Sequence, residues 1–186
     1  FEVPSPADVF SVGYELPGVG GLSLNQASEG VATACPRTWA MLGSGASTLV
    51  NECVEQDGPD AWERRGIGRR FAEFLERRYP GPAADLARFE AAVTHVASAD
   101  IEAVSLGADD ARCAGVRVVE GLEIVSVSHD VLTDQLTPQD GPSFYLVWGS
   151  PDGDANLVEV REEVVNLLVT LARQPGEAEL DGLDAE

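Results

Sequence analysis

With 186 residues, of which 44% are apolar and 24% charged, the chain is long enough and apolar enough to fold into one domain or two small ones. Its 32 acidic residues outnumber 12 basic ones, all of them arginine, so the formal net charge is −20. A charge of this size repels phosphate backbones and anionic lipids, which disfavours nucleic acid or a membrane as the main partner. A basic peptide or protein surface fits better. The alternative is that the acidic residues serve solubility alone.

The beginning of the chain changes character at Pro36. Residues 1–35 are rich in Gly, Pro and Ser without a sustained period, which predicts an extended arm. From Pro36 to Val54 apolar residues recur at helical spacing, and we predict a helix there that is interrupted or softened at Gly43 and Gly45.

Two amphipathic helices are predicted next. The runs Ile67–Tyr79 and Asp85–Ala99 each place apolar side chains on one face. A short turn that contains Pro80 and Pro82 separates them. Two helices joined in this way must bury their apolar faces against each other or against the preceding helix, which predicts a helical domain over 36–105.

Beyond a linker the pattern changes to β-branched residues and turn signals, which predicts a strand-rich module over 116–173, followed by an acidic tail over 174–186. The elements of this module are, in chain order, a bent pair of strands around Gly121, a strand at Ser143–Gly149, a turn at Pro151–Asp154, a strand at Asn156–Val160 and a helix at Arg161–Arg173. The predicted fold class is therefore α+β, a helical bundle followed by a small antiparallel sheet with a C-terminal helix.

A small sheet covered on one face by a single helix leaves an edge strand with unpaired backbone groups beside an apolar groove. An extended peptide can add to such an edge as a further strand. The sequence does not decide which strand is the edge, so two runs are candidates. The predicted peptide-binding residues are Ile124, Val125, Ser126, Val127 and Ser128 in one run, Phe144, Tyr145, Leu146, Val147 and Trp148 in the other, and Leu168 and Leu171 as a groove wall.

Half of the arginines lie in or just before the first amphipathic helix. Positive charge concentrated in one place on an acidic protein predicts a docking surface for an acidic partner, since complementary fields steer encounter. The predicted docking residues are Arg69, Arg70, Arg77 and Arg78. The alternative is pairing within the helix, four residues apart, with Glu63, Glu73 and Glu76.

Candidate chemical groups are few. No GxSxG motif, Walker loop or GxGxxG motif occurs. The cysteines Cys35, Cys53 and Cys113 are widely spaced without a CxxC pair, so we expect reduced thiols in a cytoplasmic protein and neither disulfides nor a zinc site. His95 and His129 alone cannot build a His-rich oxidase site, although His129 is a candidate for a metal ligand or for a hydrogen bond at a strand end. No catalytic residue, metal or cofactor is predicted in this chain.

A family resemblance covers roughly Pro36 to Leu171. The run Gly68–Leu75, read as Gly-x-x-Phe-x-x-Phe-Leu, and the run DLARFE at Asp85–Glu90 resemble a "G-x-x-F-x-x-FL … DLARLE" pattern, with Phe89 where the pattern has Leu. The closing segment YLVWGSPDGDANLVEVREEVVNLLVTLARQ is similar to the end of the same family. These features resemble the partner proteins of multinuclear non-haem iron oxidases in ribosomal peptide pathways, as in methanobactin and thiaglutamate biosynthesis.

The resemblance implies an accessory subunit and not an enzyme. The helical part and the C-terminal module, which is related to winged-helix-like peptide-recognition domains, would form a complex with a separate oxidase. The module would hold the leader of a precursor peptide by strand addition while the oxidase, which carries the iron, modifies a residue that is often cysteine. The matching residues carry over as helix-pair positions and not as catalytic ones: Gly68, Phe71, Phe74, Leu75 and the DLARFE run at Asp85–Glu90.

Two other functions stay open on the sequence. The C-terminal module could be the winged helix of a transcriptional regulator, but Arg117 is its sole basic residue over 116–160. A small thiol-dependent enzyme using Cys53 or Cys113 lacks a recognisable base.

Overall fold

The computed structural model describes residues 24–58, 66–98, 121–150 and 153–173, with 171–173 described by their backbone alone. The fold is α+β: within these ranges lie six helices and a three-stranded antiparallel sheet. The elements are α1 (Leu24–Ala34), α2 (Pro36–Leu42), a 3-10 turn (Gly43–Gly45), α3 (Ala46–Asp57), α4 (Ile67–Arg78), α5 (Pro82–Ser98), β1 (Glu123–His129), β2 (Pro138–Gly149), β3 (Ala155–Val160) and α6 (Glu162–Arg173).

Helix α1 lies where the sequence pattern predicts an extended arm over 1–35, so that prediction is wrong for α1. Ala27 and Val31, which lie on one face of α1, are buried in the helical core. The apolar residues of α1 are few and mostly small, and the helix follows a Gly- and Pro-rich segment, so the pattern does not reveal α1. Residues 1–23 lie outside the described ranges.

The other helices lie close to their predicted positions. The helix predicted over Pro36–Val54 is divided into α2 and α3 by the turn at Gly43–Gly45, as expected. Helices α4 and α5 are the predicted amphipathic pair, and α5 begins at Pro82 because the fixed φ and missing N–H of proline fit the first turn of a helix. None of the described helices is both long and apolar enough to span a membrane.

Helix α5 is shared by two hydrophobic cores. Small side chains of α5 enter the first core, with α1, α3 and α4; they are Ala84, Ala87 and Ala91. Larger side chains of α5 form the second core with the sheet; they are Leu86, Phe89 and Val96. Apolar side chains on two faces of one helix are typical of an element that is packed on both sides. Helices α1, α3 and α4 therefore pack against one face of α5, and the sheet packs against the opposite face.

Gly68 allows three helices to meet closely. A Cβ atom on Gly68 would lie 2.7 Å from the Cβ of Ala34 on α1 and 3.6 Å from the Cβ of Ala91 on α5. Phe71 and Phe74 follow on the same helix and are buried, with ring centroids 6.4 Å apart. Gly68 and both phenylalanines are thus helix-packing positions here.

The sheet has the order β1-β2-β3, and both hairpins are antiparallel. The second hairpin and α6 were predicted, whereas β2 begins at Pro138 and not at Ser143. Of the bent pair predicted around Gly121, one strand is β1, and the other falls on 116–120, outside the described ranges. The acidic tail predicted over 174–186 lies outside them as well.

Polar contacts fix α2 to both α5 and the sheet. Glu90 of α5 accepts hydrogen bonds from the backbone N–H groups of Arg37 (2.8 Å) and Thr38 (2.9 Å) and from Thr38 Oγ1 (2.8 Å), so its carboxylate caps the N-terminus of α2. Arg37 in turn donates from Nη1 to Val131 O (2.7 Å) and from Nη2 to Thr133 O (2.8 Å). The loop between β1 and β2 is thereby held against the helices.

Candidate functional site

The sheet has a closed centre and two outer strands. β2 pairs with β1 on one side and with β3 on the other. The run Phe144–Trp148 lies in β2 and cannot accept a further strand through its backbone, so its assignment as an edge is wrong. Three strands joined by consecutive hairpins place the middle strand at the centre, which is the physical reason. Among the described strands, the two at the edges are β1, which contains the candidate run Ile124–Ser128, and β3, which was not among the predicted binding residues.

The turn between β2 and β3 shows which backbone groups face the open side of β3. Ser150 N donates to Asp154 O at 2.6 Å, so these two residues form a hydrogen-bonded pair. In an antiparallel ladder, hydrogen-bonded pairs alternate with non-hydrogen-bonded pairs. Counting along the register from that turn, the β3 residues whose backbone groups are directed at β2 are Asn156, Val158 and Val160. The residues whose N–H and C=O groups point away from β2 are Ala155, Leu157 and Glu159.

The edge of β1 is closed at one end. By the same alternation, its outward-pointing backbone groups belong to Ile124, Ser126 and Ser128. Ser128 N donates to Asp85 Oδ2 at 2.8 Å, and His129 Nδ1 donates to the same oxygen at 2.7 Å. A register shift between Val127 and His129 marks a β-bulge at this point. Helix α5 therefore caps this end of β1, and His129 makes the strand-end hydrogen bond that was one of its two predicted roles.

β3 is the more open edge. Leu157 is 38% exposed and Val158 is 43% exposed, although both side chains are apolar and point to opposite faces of the strand. Within the described ranges, no residue accepts a hydrogen bond from the backbone N–H of Leu157 or of Glu159. Exposed apolar side chains beside unpaired backbone donors are the features that an added strand would cover.

Strand alternation divides the predicted binding residues between two faces of the sheet. Four of them lie beneath α5 and are closed to a peptide because they form the second core: Val125, Val127, Tyr145 and Val147. The Tyr145 ring contacts the Phe89 ring of α5 edge to face, with centroids 5.6 Å apart. The opposite face carries Ser126 and a set of half-buried or exposed apolar side chains: Ile124, Phe144, Leu146, Trp148, Val158 and Val160.

Helix α6 follows β3 in the chain after Arg161, and it also exposes apolar side chains. Val164 is 39% exposed and Leu167 is 50% exposed. Leu168, predicted as a groove wall, is half-buried, and the side chain of Leu171 lies outside the described part of the chain. Exposed apolar side chains on a strand and on the helix that follows it are candidates for an interaction surface.

The charge beside β3 is negative. Glu159 is exposed, and Ser143 Oγ on β2 donates to its Oε1 at 2.9 Å. Burial, together with the charges of Glu159 and Asp130, raises the pKa of the Tyr145 hydroxyl. Tyr145 therefore stays protonated at neutral pH and acts as a core residue, while Glu159 remains directed at solvent.

The predicted docking arginines are mostly engaged within the protein. Three form ion pairs between elements: Arg70 with Asp57 (3.5 Å), Arg77 with Asp57 (3.1 Å) and Arg69 with Glu123. Of the glutamates predicted to pair within the helix, Glu76 instead pairs with Arg88 of α5 at 2.8 Å. Arg78 is exposed and has no ion-pair partner among the described residues, so it is the member of the set that is most available to another protein.

Burial makes two of the thiols poor nucleophiles. It raises the pKa of Cys35 to about 12, with a smaller contribution from Glu90, and the pKa of Cys53 to about 12, with a smaller contribution from Asp57. Because the thiolate is the reactive form, neither group is activated for catalysis at neutral pH. Cys113 lies outside the described residues.

A cavity of about 580 Å³ lies between α1, the start of α4 and the end of α5. Two of its polar side chains join neighbouring elements: Thr94 Oγ1 donates to Ala34 O at 2.9 Å, and His95 Nε2 lies 3.7 Å from Glu123 Oε1. Its polar lining thus contributes to the packing of the helices. Over the four described ranges, no three His, Cys, Asp or Glu side chains are grouped as metal ligands.

The best-formed candidate site is the open edge of β3 with the exposed apolar side chains of α6. The sequence pattern predicted both elements but did not identify this edge. Their order along the chain contains the missing signal, because the last strand of two consecutive hairpins has a neighbour on one side only. In comparisons with known proteins, no family model and no curated protein matches the chain.

Proposed function

We propose that this chain is a non-catalytic partner subunit that binds the leader of a ribosomally made precursor peptide as a strand on β3 and presents the peptide to a multinuclear non-haem iron oxidase. The observation that carries the binding role is the edge of β3, where Leu157 and Glu159 direct outward backbone groups that have no partner among the described residues. The resemblance of the helix pair and of the C-terminal segment to oxidase-partner proteins supports the choice of peptide and enzyme.

Two kinds of contact support peptide binding at this edge. The peptide backbone extends the ladder on the N–H and C=O groups of Leu157 and Glu159, which gives affinity without regard to sequence. Side chains of the added strand alternate between the face of Leu157 and the face of Val158, and apolar ones cover these exposed groups. The exposed Val164 and Leu167 belong to α6, which follows β3 in the chain, and they offer further apolar surface.

In this proposal, iron and the oxidative step belong to the separate oxidase, and this chain positions the precursor peptide. It holds the leader extended, so that the other end of the peptide reaches the oxidase. The exposed guanidinium of Arg78 on α4 is suited to an acidic surface of the oxidase.

Copurification of the full chain with a candidate oxidase and its precursor peptide tests the proposal. We expect a complex of all three, in which deletion of the leader releases the peptide and leaves the oxidase bound. A purified, folded chain that retains neither the oxidase nor the peptide contradicts the proposal.

The position of the peptide is tested by Leu157→Pro, with Leu157→Thr as the matched control. Proline removes the outward N–H of an edge strand, so we expect binding of a labelled leader to weaken by about tenfold or more, as measured by fluorescence anisotropy. Threonine keeps the N–H and suits a strand, so it should retain most of the affinity. Circular dichroism verifies that both variants are folded. Equal affinity of Leu157→Pro and the unmodified protein places the peptide elsewhere.

A further inference from the structure

The two faces of β3 offer different chemistry to an added strand. On one face, Val158 ends an apolar row that crosses the sheet from Ile124 through Leu146. On the other face, Leu157 lies beside Val147, and Glu159 lies beside Tyr145. A peptide strand next to β3 therefore meets one apolar side chain on each face and one carboxylate.

Glu159 is the charged group of this edge. It is exposed, it accepts a hydrogen bond from Ser143 Oγ at 2.9 Å, and no basic side chain of the described ranges forms an ion pair with it. The described charged residues near it in the chain, from Gly153 to the first turn of α6, comprise three further carboxylates and one guanidinium: Asp154, Glu162, Glu163 and Arg161. Among the described residues this edge thus keeps a negative balance, and its charge is complementary to a basic peptide.

We propose that β3 selects an extended peptide in which one basic residue is followed directly by two apolar residues, with the basic side chain opposite Glu159. This inference rests on the proposed strand addition and specifies its peptide. Opposite Glu159, Val158 and Leu157 stand three consecutive peptide residues, whose side chains alternate between the two faces. The first is Lys or Arg, and the next two are apolar.

The order of the three residues follows from antiparallel pairing. An antiparallel peptide runs from Glu159 towards Leu157, so its sequence reads basic, apolar, apolar from N to C. A parallel peptide would read the opposite way. The existing sheet is antiparallel throughout, and antiparallel pairing is slightly more stable for each residue.

Short labelled peptides in a threonine-rich background test the inference with the full-length chain. One carries Arg-Val-Val, a second carries Glu-Val-Val and a third carries Val-Val-Arg. By fluorescence anisotropy at low salt, we expect Arg-Val-Val to bind about fivefold or more tightly than either of the others. The advantage over Glu-Val-Val should shrink as salt is added, because exposed charges are screened.

Charge exchange on the protein provides the decisive comparison. In Glu159→Lys, the Glu-Val-Val peptide should bind more tightly than Arg-Val-Val. Glu55→Lys, on the exposed surface of α3, changes the net charge by the same amount and should leave the original preference in place. A reversal of preference in both variants would show that net charge and not Glu159 selects the peptide, which would overturn the inference.

The outcomes separate this inference from the proposed function. If the peptides bind, and Leu157→Pro weakens them all, but Arg-Val-Val and Glu-Val-Val bind equally, strand addition stands and the selection by Glu159 is wrong. If Val-Val-Arg binds most tightly, the antiparallel order is wrong. If none of the peptides binds, or Leu157→Pro binds them all as tightly as the unmodified protein, strand addition itself fails and the inference fails with it.

Discussion

Two buried carboxylates serve as acceptors for backbone groups of other elements. Glu90 closes the N-terminus of α2, and Asp85 closes one end of β1. Both belong to the DLARFE run that carries the family resemblance, and both project from α5. In this protein the acidic residues of the run are therefore structural groups, whose removal leaves buried donors without a partner.

The capping role of Glu90 predicts a stability loss in Glu90→Ala. Three donors lose their acceptor, so the free energy of unfolding should fall by about 2 kcal/mol, measured by urea denaturation. Glu55→Ala on the exposed surface of α3 is the control and should change it by less than about 0.5 kcal/mol. A similar small change in both variants would show that Glu90 does not act as a cap.

The buried thiols predict a decline in stability at alkaline pH. The pKa of each thiol rises from 9.0 to about 12 in the folded chain, so the folded state holds these protons more tightly than the unfolded state. Their contribution to stability is complete below pH 9 and is lost as the pH rises towards 12.

In a Cys113→Ser variant, a thiol reagent near neutral pH should react slowly with native protein and rapidly in urea. Rapid labelling of the native variant would contradict the burial of Cys35 and Cys53.

Among the elements, the meeting of α1, α4 and α5 depends on the absence of a side chain at Gly68. Its neighbours there are backbone-fixed Cβ atoms, so a new methyl group can be accommodated only by separating helices.

Gly68→Ala should lower the free energy of unfolding by about 1–3 kcal/mol, the usual cost of overpacking a core. Gly45→Ala is the matched control, because open space surrounds its Cβ position and its φ of −79° suits any residue. The control should be neutral or slightly stabilising. Thermal unfolding of both variants measures the difference. Equal melting temperatures would mean that the three helices do not meet as closely as the structure shows.

The sequence predicted elements whose apolar residues are large and periodic, such as α4, α5 and the hairpin of β2 and β3. It did not predict α1, because the buried face of α1 is built from small residues such as Ala27. The sequence also left the edge undecided between Ile124–Ser128, which lies in an outer strand, and Phe144–Trp148, which does not, because edge status depends on how strands pair. The strand with Phe144 to Trp148 is the most apolar one, and it is central because it pairs with both β1 and β3.

At the scale of the whole molecule, helix α5 contributes side chains to both hydrophobic cores. We therefore predict that the helices and the sheet unfold together. Phe89 lies on α5, which also packs on α4, and its ring contacts Tyr145 of the sheet. Phe89→Ala removes this contact. We expect a loss of about 3–5 kcal/mol and a single transition, with the same midpoint by circular dichroism and by tryptophan fluorescence. Two separate transitions would indicate that the helical block and the sheet are independent.

The periodicity of apolar residues does not predict contacts between residues that are far apart in the chain. The ion pair of Arg69 with Glu123 joins residues that no helical spacing relates, and it explains why a cluster of arginines does not amount to an open basic surface. The same applies to the candidate site. Its residues were predicted as a strand, but the exposed edge of β3 follows from its pairing with β2 on one side in the described sheet.

The cap that Asp85 places on β1 also limits what the protein can assemble into. A sheet with two open sides can pass strands from molecule to molecule without end, which is the route to fibres. Here Asp85 occupies the backbone N–H of Ser128 at the bulge, so a strand from a second molecule could not pair along the full length of β1.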